Sequence, residues 1–444
     1  MTAGAARPLL APRRLSPSRS YADPVHAPVR GAVVRALARR MARLVDVRIV
    51  LPDGTSVPPP PHAPVFSVER SHSPRREVIG TASAHERPTM RIHSWAFFDR
   101  VGVDAKIGVG EGFMAGEWSP APGTDLADLL TPFAARLTDL VPPSIARFRR
   151  LAEPRHPRHH LGDRQGAATN IAHHYDLSNE VFATFLDPTM TYSAAWFAPV
   201  DPAGFDGLEP AQRRKVDGML DYARVGPGAR VLEIGSGWGQ LAIQAARRGA
   251  DVHTITLSAR QRDLARARFA QEGVADRVRI DLRDYRDVQG TYDAVVSVEM
   301  IEAVGYDYWR DYFAALARAT APGGTVALQA ITMAHDRMLA SRHAHGWIQK
   351  YVFPGGLIPS VEAIDRHAAA AGLVVTASRS LRADYARTLR LWRDRFVAQR
   401  HRVLGLGFDP TFLRVWEFYL AYSEAGFRAG HLDVRQLRLE RRAH

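Results

Sequence analysis

The feature that most constrains this chain is a short apolar run, Arg230-Val231-Leu232-Glu233-Ile234, which breaks into Gly235-Ser236-Gly237-Trp238-Gly239 and then a helical segment reaching Arg248. Such a dense apolar run fits a strand covered on both faces. The glycines let backbone approach a ligand closely, and the helix start offers amides with no partner inside the helix. The same alternation continues downstream. Asp251–Leu257 reads as a second strand and Ser258 to about Gly273 as a helix. Val278–Leu282 and Ala294–Val298 read as two more strands, followed by a helix from about Tyr308 to Ala319. The turn Ala321-Pro322-Gly323-Gly324 then leads into a strand from Thr325 to Ile331. Strands alternating with helices imply an α/β fold with a mostly parallel sheet, whose ligands lie at the carboxyl ends of the strands.

The loop chemistry narrows the ligand. A dinucleotide fingerprint needs glycine where Gln240 stands, which weakens a nicotinamide reading. With Glu233 two residues before the loop, a nucleoside methyl donor becomes the leading candidate. The second strand ends in Thr256-Leu257-Ser258-Ala259-Arg260-Gln261, with no acid for ribose hydroxyls, so hydroxyl and amide groups must serve instead. Asp284-Tyr285 after the third strand is placed to meet an adenine, although a plain strand-end turn explains the pair equally well.

At 444 residues the chain has room for two or three domains. Composition and punctuation divide it into a basic, disordered tail (1–28), an amino-terminal domain (29–152), a polar linker (153–170) and a carboxy-terminal α/β domain (171–444), the second expected to be lipid-associated and the last catalytic on the resemblance given below. In the second of these, Val34, Leu37, Met41, Leu44 and Val45 recur at helical spacing, with Arg35, Arg39, Arg40 and Arg43 between them. A helix packed on its own domain and a helix lying on anionic headgroups both fit that pattern. Val47–Thr55 reads as a strand entering a Pro-Asp-Gly turn. His156, His159 and His160 lack acidic partners at ligand spacing, so no metal is expected. The absence of cysteine removes disulfides, thiolate metal sites and any cysteine nucleophile. No run approaches the roughly 20 apolar residues of a membrane span, and residues 1–20 lack a secretory apolar core, so a cytoplasmic address is expected. A net charge of +13 suits either a solvated surface or attraction to an anionic polymer or membrane.

Several segments taken together resemble the cyclopropane-fatty-acyl-phospholipid synthases and the related mycolic acid methyltransferases. They are Asn170-Ile171-Ala172-His173-His174-Tyr175-Asp176-Leu177-Ser178-Asn179, Met190-Thr191-Tyr192-Ser193, the glycine loop, Thr256-Leu257-Ser258 with Gln261, Asp284-Tyr285, Glu302 and Tyr351-Val352-Phe353-Pro354. Leu51-Pro52-Asp53-Gly54 and Gly110–Gly116 extend the likeness more faintly into the first half. The resemblance implies a class I S-adenosylmethionine-dependent methyltransferase with a Rossmann-like, mostly parallel seven-stranded sheet and a smaller α+β amino-terminal domain. It assigns S-adenosylmethionine to Tyr192, Ser193, Glu233, Gly235, Ser236, Gly237, Gly239, Thr256, Leu257, Gln261, Asp284 and Tyr285. The implied reaction is attack by a cis alkene of a phospholipid acyl chain on the sulfonium methyl, followed by proton loss and ring closure. The resemblance further implies a bicarbonate ion near the cation, held by a Glu, a His, main chain beside an Ile, and a Tyr. Glu302, Gln329, Ile331 and Tyr385 stand at those four positions.

Departures from the pattern bear on the product. Gln329 replaces the His and cannot be protonated. A second family His is Ala303, and the Cys after the Tyr-Ser motif is Ala194. A cyclopropane is the expected product. A hydride shift before proton loss would give a methylene chain instead, which a separate reductase would convert to a methyl branch. The insertion Ala334–Pro359 and the aromatic helix carrying Phe412, Trp416, Phe418, Tyr419 and Tyr422 are candidates to line an acyl tunnel. The expected partners are unsaturated phospholipid chains at an anionic membrane surface, with peripheral association at its inner face and a possible homodimer. A small-molecule methyltransferase is the rival function, and nucleic-acid binding has only net charge in its favour.

Overall fold

The computed structural model describes residues 35–36, 38–43, 45–59, 87–136, 178–198, 207–342 and 344–442. The expected basic tail, the linker with its histidines, the segment 170–177, and Val34, Leu37 and Leu44 lie outside the described residues. The chain divides into two compact units, Met1–Glu153 with Phe408–His431, and Pro154–Gly407 with Leu432–His444.

The second unit is built on seven strands: β1 (Arg230–Ile234), β2 (Asp251–Thr256), β3 (Val278–Leu282), β4 (Tyr292–Val298), β5 (Thr320–Met333), β6 (Leu373–Ser380) and β7 (Leu432–Arg441). Their order is β6-β7-β5-β4-β1-β2-β3. β1 pairs in parallel with β2 and β4, β2 with β3, and β4 with β5, whereas β7 runs antiparallel to both β5 and β6. Alternate residues of the central strands enter opposite cores. Leu232, Ile234, Val295 and Leu328 pack with Trp309, Tyr312 and Phe313 on one side. Val231, Ala294, Val296 and Ala327 pack with Leu241, Ile243 and Phe269 on the other. Each buried side chain of this size contributes about 1.5–3 kcal/mol, so both faces hold the sheet. The turn expected at Ala321–Gly324 lies within one long strand. Pairing jumps from Tyr292–Thr320 to Ala294–Thr325, so the intervening residues bulge, with Gly323 at φ 74°.

The first unit carries a four-stranded sheet in the order Ser56–Val57, Arg48–Val50, Thr89–Ile92, Trp118–Pro120. The Pro-Asp-Gly turn forms as expected, with Gly54 at φ 80° and its amide donating to Leu51 O. The arginine-bearing helix buries Ala38 and Ala42, while Arg35, Arg39, Arg40 and Arg43 are exposed. Helices Ala96–Val103 and Ala105–Met114 meet closely, and Phe97, Phe113 and Trp118 form an aromatic core beside them. Helix Pro410–Arg428 belongs to this core: Phe418 lies 5.5 Å from Phe113 and 6.2 Å from Trp118 between ring centroids. Arg428 also pairs with Asp128 at 2.6 Å. The expected boundaries are therefore corrected for residues 408–431, which pack with the amino-terminal residues rather than with the sheet unit. Phe412, Trp416, Phe418 and Tyr419 are all buried.

Two glycines on neighbouring helices should respond in opposite ways to the same change. A Cβ at Gly108 would lie 2.6 Å from the Arg100 carbonyl, which is backbone and cannot swing away, whereas one at Gly102 meets open space. Gly108→Ala should destabilise the first unit by about 1–3 kcal/mol, and Gly102→Ala should stabilise it by about 0.5–1 kcal/mol. Thermal unfolding of the two variants checks this, and equal shifts would contradict the packing described.

Candidate functional site

The cleft lies at the carboxyl ends of β1, β2 and β4, and encloses about 1240 Å³ including the part open to solvent. Gly235, Gly237 and Gly239 all adopt positive φ, at 94°, 48° and 90°. Their reasons differ. A Cβ at Gly239 would strike Phe269 at 2.5 Å, so that glycine lets helix Ala259–Gln271 pack close. A Cβ at Gly237 would meet nothing within 4 Å, which leaves this backbone open to a ligand. At the end of β2, Thr256 donates its hydroxyl to Gln261 Oε1 at 2.9 Å, and Ser258 caps the following helix through Gln261 N. Hydroxyl and amide groups do stand where an acid might have been. Asp284 lines the cleft with its carboxylate held by Arg286 at 2.9 and 2.7 Å, and Tyr285 packs edge-on to Tyr312. Burial pushes the Tyr285 hydroxyl up to about 12, so it stays a neutral hydrogen-bonding group.

Ionisable groups crowd the floor. Lys215 is 2% exposed and donates to Ser193 Oγ at 2.6 Å. Burial pulls its ammonium down to about 8, against the attraction of Glu299, Asp187 and Glu233. Burial likewise pushes the Glu233 carboxyl up to about 8, with Lys215 opposing. Tyr192 stacks on Trp392 at 5.2 Å and meets Phe182 edge-on, which fixes an aromatic wall beside Ser193. A site with several buried carboxyls and one ammonium favours a cationic ligand, because added positive charge stabilises the ionised carboxyls.

Glu299 stands at the end of β4 with φ 49°, a left-handed conformation that is strained for a residue with a side chain. Its Oε1 accepts from Ala194 N at 3.0 Å and Gln329 Nε2 at 2.8 Å, and its Oε2 accepts from the Tyr385 hydroxyl at 2.8 Å. Gln436 donates to Gln329 Oε1 at 3.1 Å, which turns the Gln329 amide toward Glu299. Three residues on, Glu302 accepts from Ile331 N through Oε1, while its Oε2 is buried without a hydrogen-bond partner among the described residues. Burial, and then the charge of Glu299, push the Glu302 carboxyl up to about 8. Burial also raises Glu299, but its three donors and Lys215 pull the other way. Of the two carboxyls, Glu299 is the one that gathers three donors and a nearby ammonium.

Eleven of the twelve residues expected to hold the donor line this cleft, and Gly239 supports it from behind. The four expected around bicarbonate are not arranged as expected. Gln329 and Tyr385 converge on Glu299, and only Ile331 meets Glu302. A bicarbonate does not fit those donors, since both side chains already donate to Glu299. Sequence reasoning missed Lys215 and Glu299. Lys215 shares the buried face of helix Leu208–Tyr222 with Gln212, Val216 and Met219, and a cation on an apolar helical face is a legible signal. Glu299 follows a buried parallel strand at its carboxyl end, where ligands bind. Trp347 and Val352 of the insertion are buried, and Leu357 N donates to Glu302 O at 2.9 Å, tying the insertion to the Glu302 turn.

Comparison with known proteins agrees with this geometry. Residues 163–437 match the family described as mycolic acid cyclopropane synthetase. A tuberculostearic acid methyltransferase of Mycobacterium tuberculosis is 49% identical over 417 residues, covering 92% of this chain and 91% of the relative. A cyclopropane-fatty-acyl-phospholipid synthase of Escherichia coli is 32% identical over 351 residues, covering 78% of this chain and 86% of the relative. Among solved structures, a cyclopropane synthase of Mycobacterium tuberculosis superposes with a TM-score of 0.57 at 30% identity, covering 61% of this chain and 97% of that one. A mycolic acid cyclopropane synthase complexed with S-adenosylhomocysteine and CTAB gives 0.56 at 29% identity, with the same two coverages.

Glu233 ties stability to pH. Its carboxyl is raised from 4.5 to about 8 on folding, so its contribution to the free protein is whole below pH 4.5 and is lost as pH rises through 8. Glu233→Gln escapes that loss. The variant should unfold at a higher temperature than the parent, by a margin that grows between these limits, and should bind S-adenosylmethionine at least about tenfold more weakly. Melting curves across pH with calorimetric titration of the donor check both. A margin that shrinks with rising pH would contradict the assignment.

Proposed function

Because this chain belongs to the mycolic acid cyclopropane synthetase family, and so uses S-adenosylmethionine to methylate lipid acyl chains, we propose that it acts on the cis double bond of an unsaturated phospholipid chain and yields an exocyclic methylene chain. A separate reductase then turns that chain into a methyl branch. The observation carrying this choice of product is the 49% identity, over almost the whole chain, to a methyltransferase named for tuberculostearic acid, a methyl-branched fatty acid. Gln329, Ala303 and Ala194 point the same way, since each departs from the residues of the cyclopropane pattern. A cyclopropane product is the second reading, favoured by the family description and by the Escherichia coli relative.

The donor supplies an electrophilic methyl on a positively charged sulfur, and the alkene is a weak nucleophile. The chain's own residues must therefore position the partners and keep water out. The glycine loop, Ser193, Thr256 and Asp284 hold the donor at the strand ends, and Lys215 fixes Ser193. Tyr192, stacked on Trp392, offers electron-rich but non-nucleophilic surface to a developing cation. The half-buried Ile348, Tyr351 and Phe353, next to buried Trp347 and Val352, supply apolar wall for the acyl chain. Each methylene buried there gains about 0.8 kcal/mol relative to water, but little relative to a bilayer. The enzyme must therefore collect its substrate at the membrane, and the exposed Arg35, Arg39, Arg40 and Arg43 suit an anionic surface.

Incubation of the protein with S-adenosylmethionine and dioleoyl phosphatidylglycerol vesicles tests this. The lipid should gain one methylene unit, and proton NMR should show vinylidene signals without the high-field signals of a cyclopropane. Cyclopropane signals alone would establish the second reading.

A further inference from the structure

We infer that Glu299 is the base of this reaction, a carboxylate built into the chain in the place where relatives of the cyclopropane type would hold a small external anion. The inference rests on alkene methylation as proposed above, and deepens it. Gln329 and Tyr385, the two side chains that the resemblance assigns to the anion, both donate to Glu299, at 2.8 Å each. The main-chain amide of Ala194 adds a third donor to the same carboxylate at 3.0 Å. Each donor comes from a different part of the chain, yet all converge on one group. That group lines the cleft beside the donor site, where Gly235 packs against Met300, the next residue.

The backbone supports the same conclusion. Glu299 holds φ 49°, which costs about 1–3 kcal/mol for a residue with a side chain. Such strain persists where the surroundings over-determine it, and here three hydrogen bonds do so. Glycine would be relaxed at this position but would remove the acceptor on which the three donors converge. Gln436 fixes the Gln329 amide in the donating orientation. Glutamine, unlike histidine, presents that orientation at every pH.

The chemistry balances. The alkene π pair forms a bond to the methyl carbon as the carbon–sulfur pair leaves with sulfur, giving S-adenosylhomocysteine and a carbocation on the chain. For the methylene product, hydride migrates with its pair from the methylated carbon to the neighbouring cation. A proton then leaves the transferred methyl to Glu299, and its C–H pair becomes the new double bond. Ring closure would use the same proton and the same base, its C–H pair forming the third ring bond instead. Glu299 passes from carboxylate to acid, and the cation is discharged.

The test compares wild type, E299Q and E299G by release of S-adenosylhomocysteine on oleoyl phospholipid vesicles, with S-adenosylhomocysteine binding as the check on folding. Both variants should bind within a few-fold of wild type and lose about 10²–10⁴-fold in kcat with KM little changed. Added formate, acetate or bicarbonate should restore E299G at least about tenfold, with rates rising with the basicity of the carboxylate, and should leave E299Q inactive. A merely structural glutamate would not give that dependence on basicity. E299Q turning over within a few-fold of wild type would overturn the inference, as would an E299G that binds S-adenosylhomocysteine but answers to no small carboxylate. Should E299G fail to bind, the turnover of E299Q decides. Wild type that methylates no unsaturated lipid would sink the proposed function instead, so the two failures are distinguishable.

Discussion

Carboxyl groups buried on the floor of one cleft are the constraint from which the rest of this structure follows. Glu233 and Glu299 stand close to one ammonium, that of Lys215, Glu302 stands close to Glu299, and burial pushes every one of these carboxyls above its usual range. An isolated carboxylate there would take up a proton. Three directed donors and Lys215 oppose that on Glu299, whereas Glu302 has one amide donor and Glu299 beside it. Two carboxyls three residues apart thereby sit in different hydrogen-bonding surroundings. A cationic donor completes the balance, which is why the same cleft suits a sulfonium better than its neutral sulfide product.

The parts of the sheet unit meet at Glu299. Its backbone ends β4 and its amide donates to Gln329 O on β5. Gln436 on β7, the one antiparallel strand, holds Gln329 and also donates to Lys215 O at 3.2 Å. Helix Arg382–Ala398 brings Tyr385, and through Thr388 and Asp384 it receives the amides of Ala195 and Phe197 at 3.1 and 2.8 Å. That grip positions Ala194, whose own amide reaches Glu299.

Much of this was legible in the sequence. Parallel strands buried on both faces read as dense apolar runs, and the glycine loop reads as a ligand cradle because only glycine tolerates its backbone and its closeness to Phe269. Helix Pro410–Arg428 announced that it would be buried, but periodicity cannot say against what, and its partners Phe113 and Trp118 lie far earlier in the chain. The Glu299 cluster was hidden for the same reason. Matching residues to a family pattern placed Gln329, Tyr385 and Glu302 around one ion, whereas three-dimensional convergence hands two of them to a glutamate that the pattern does not contain.

A base carried by the chain itself would make turnover independent of any dissolved anion. The most direct measurement is the turnover of the wild-type protein on unsaturated phospholipid vesicles, from carbon-dioxide-free buffer to an excess of added bicarbonate at constant pH and ionic strength. A flat response is what a built-in carboxylate predicts. Turnover that collapses on depletion and returns with bicarbonate would contradict it.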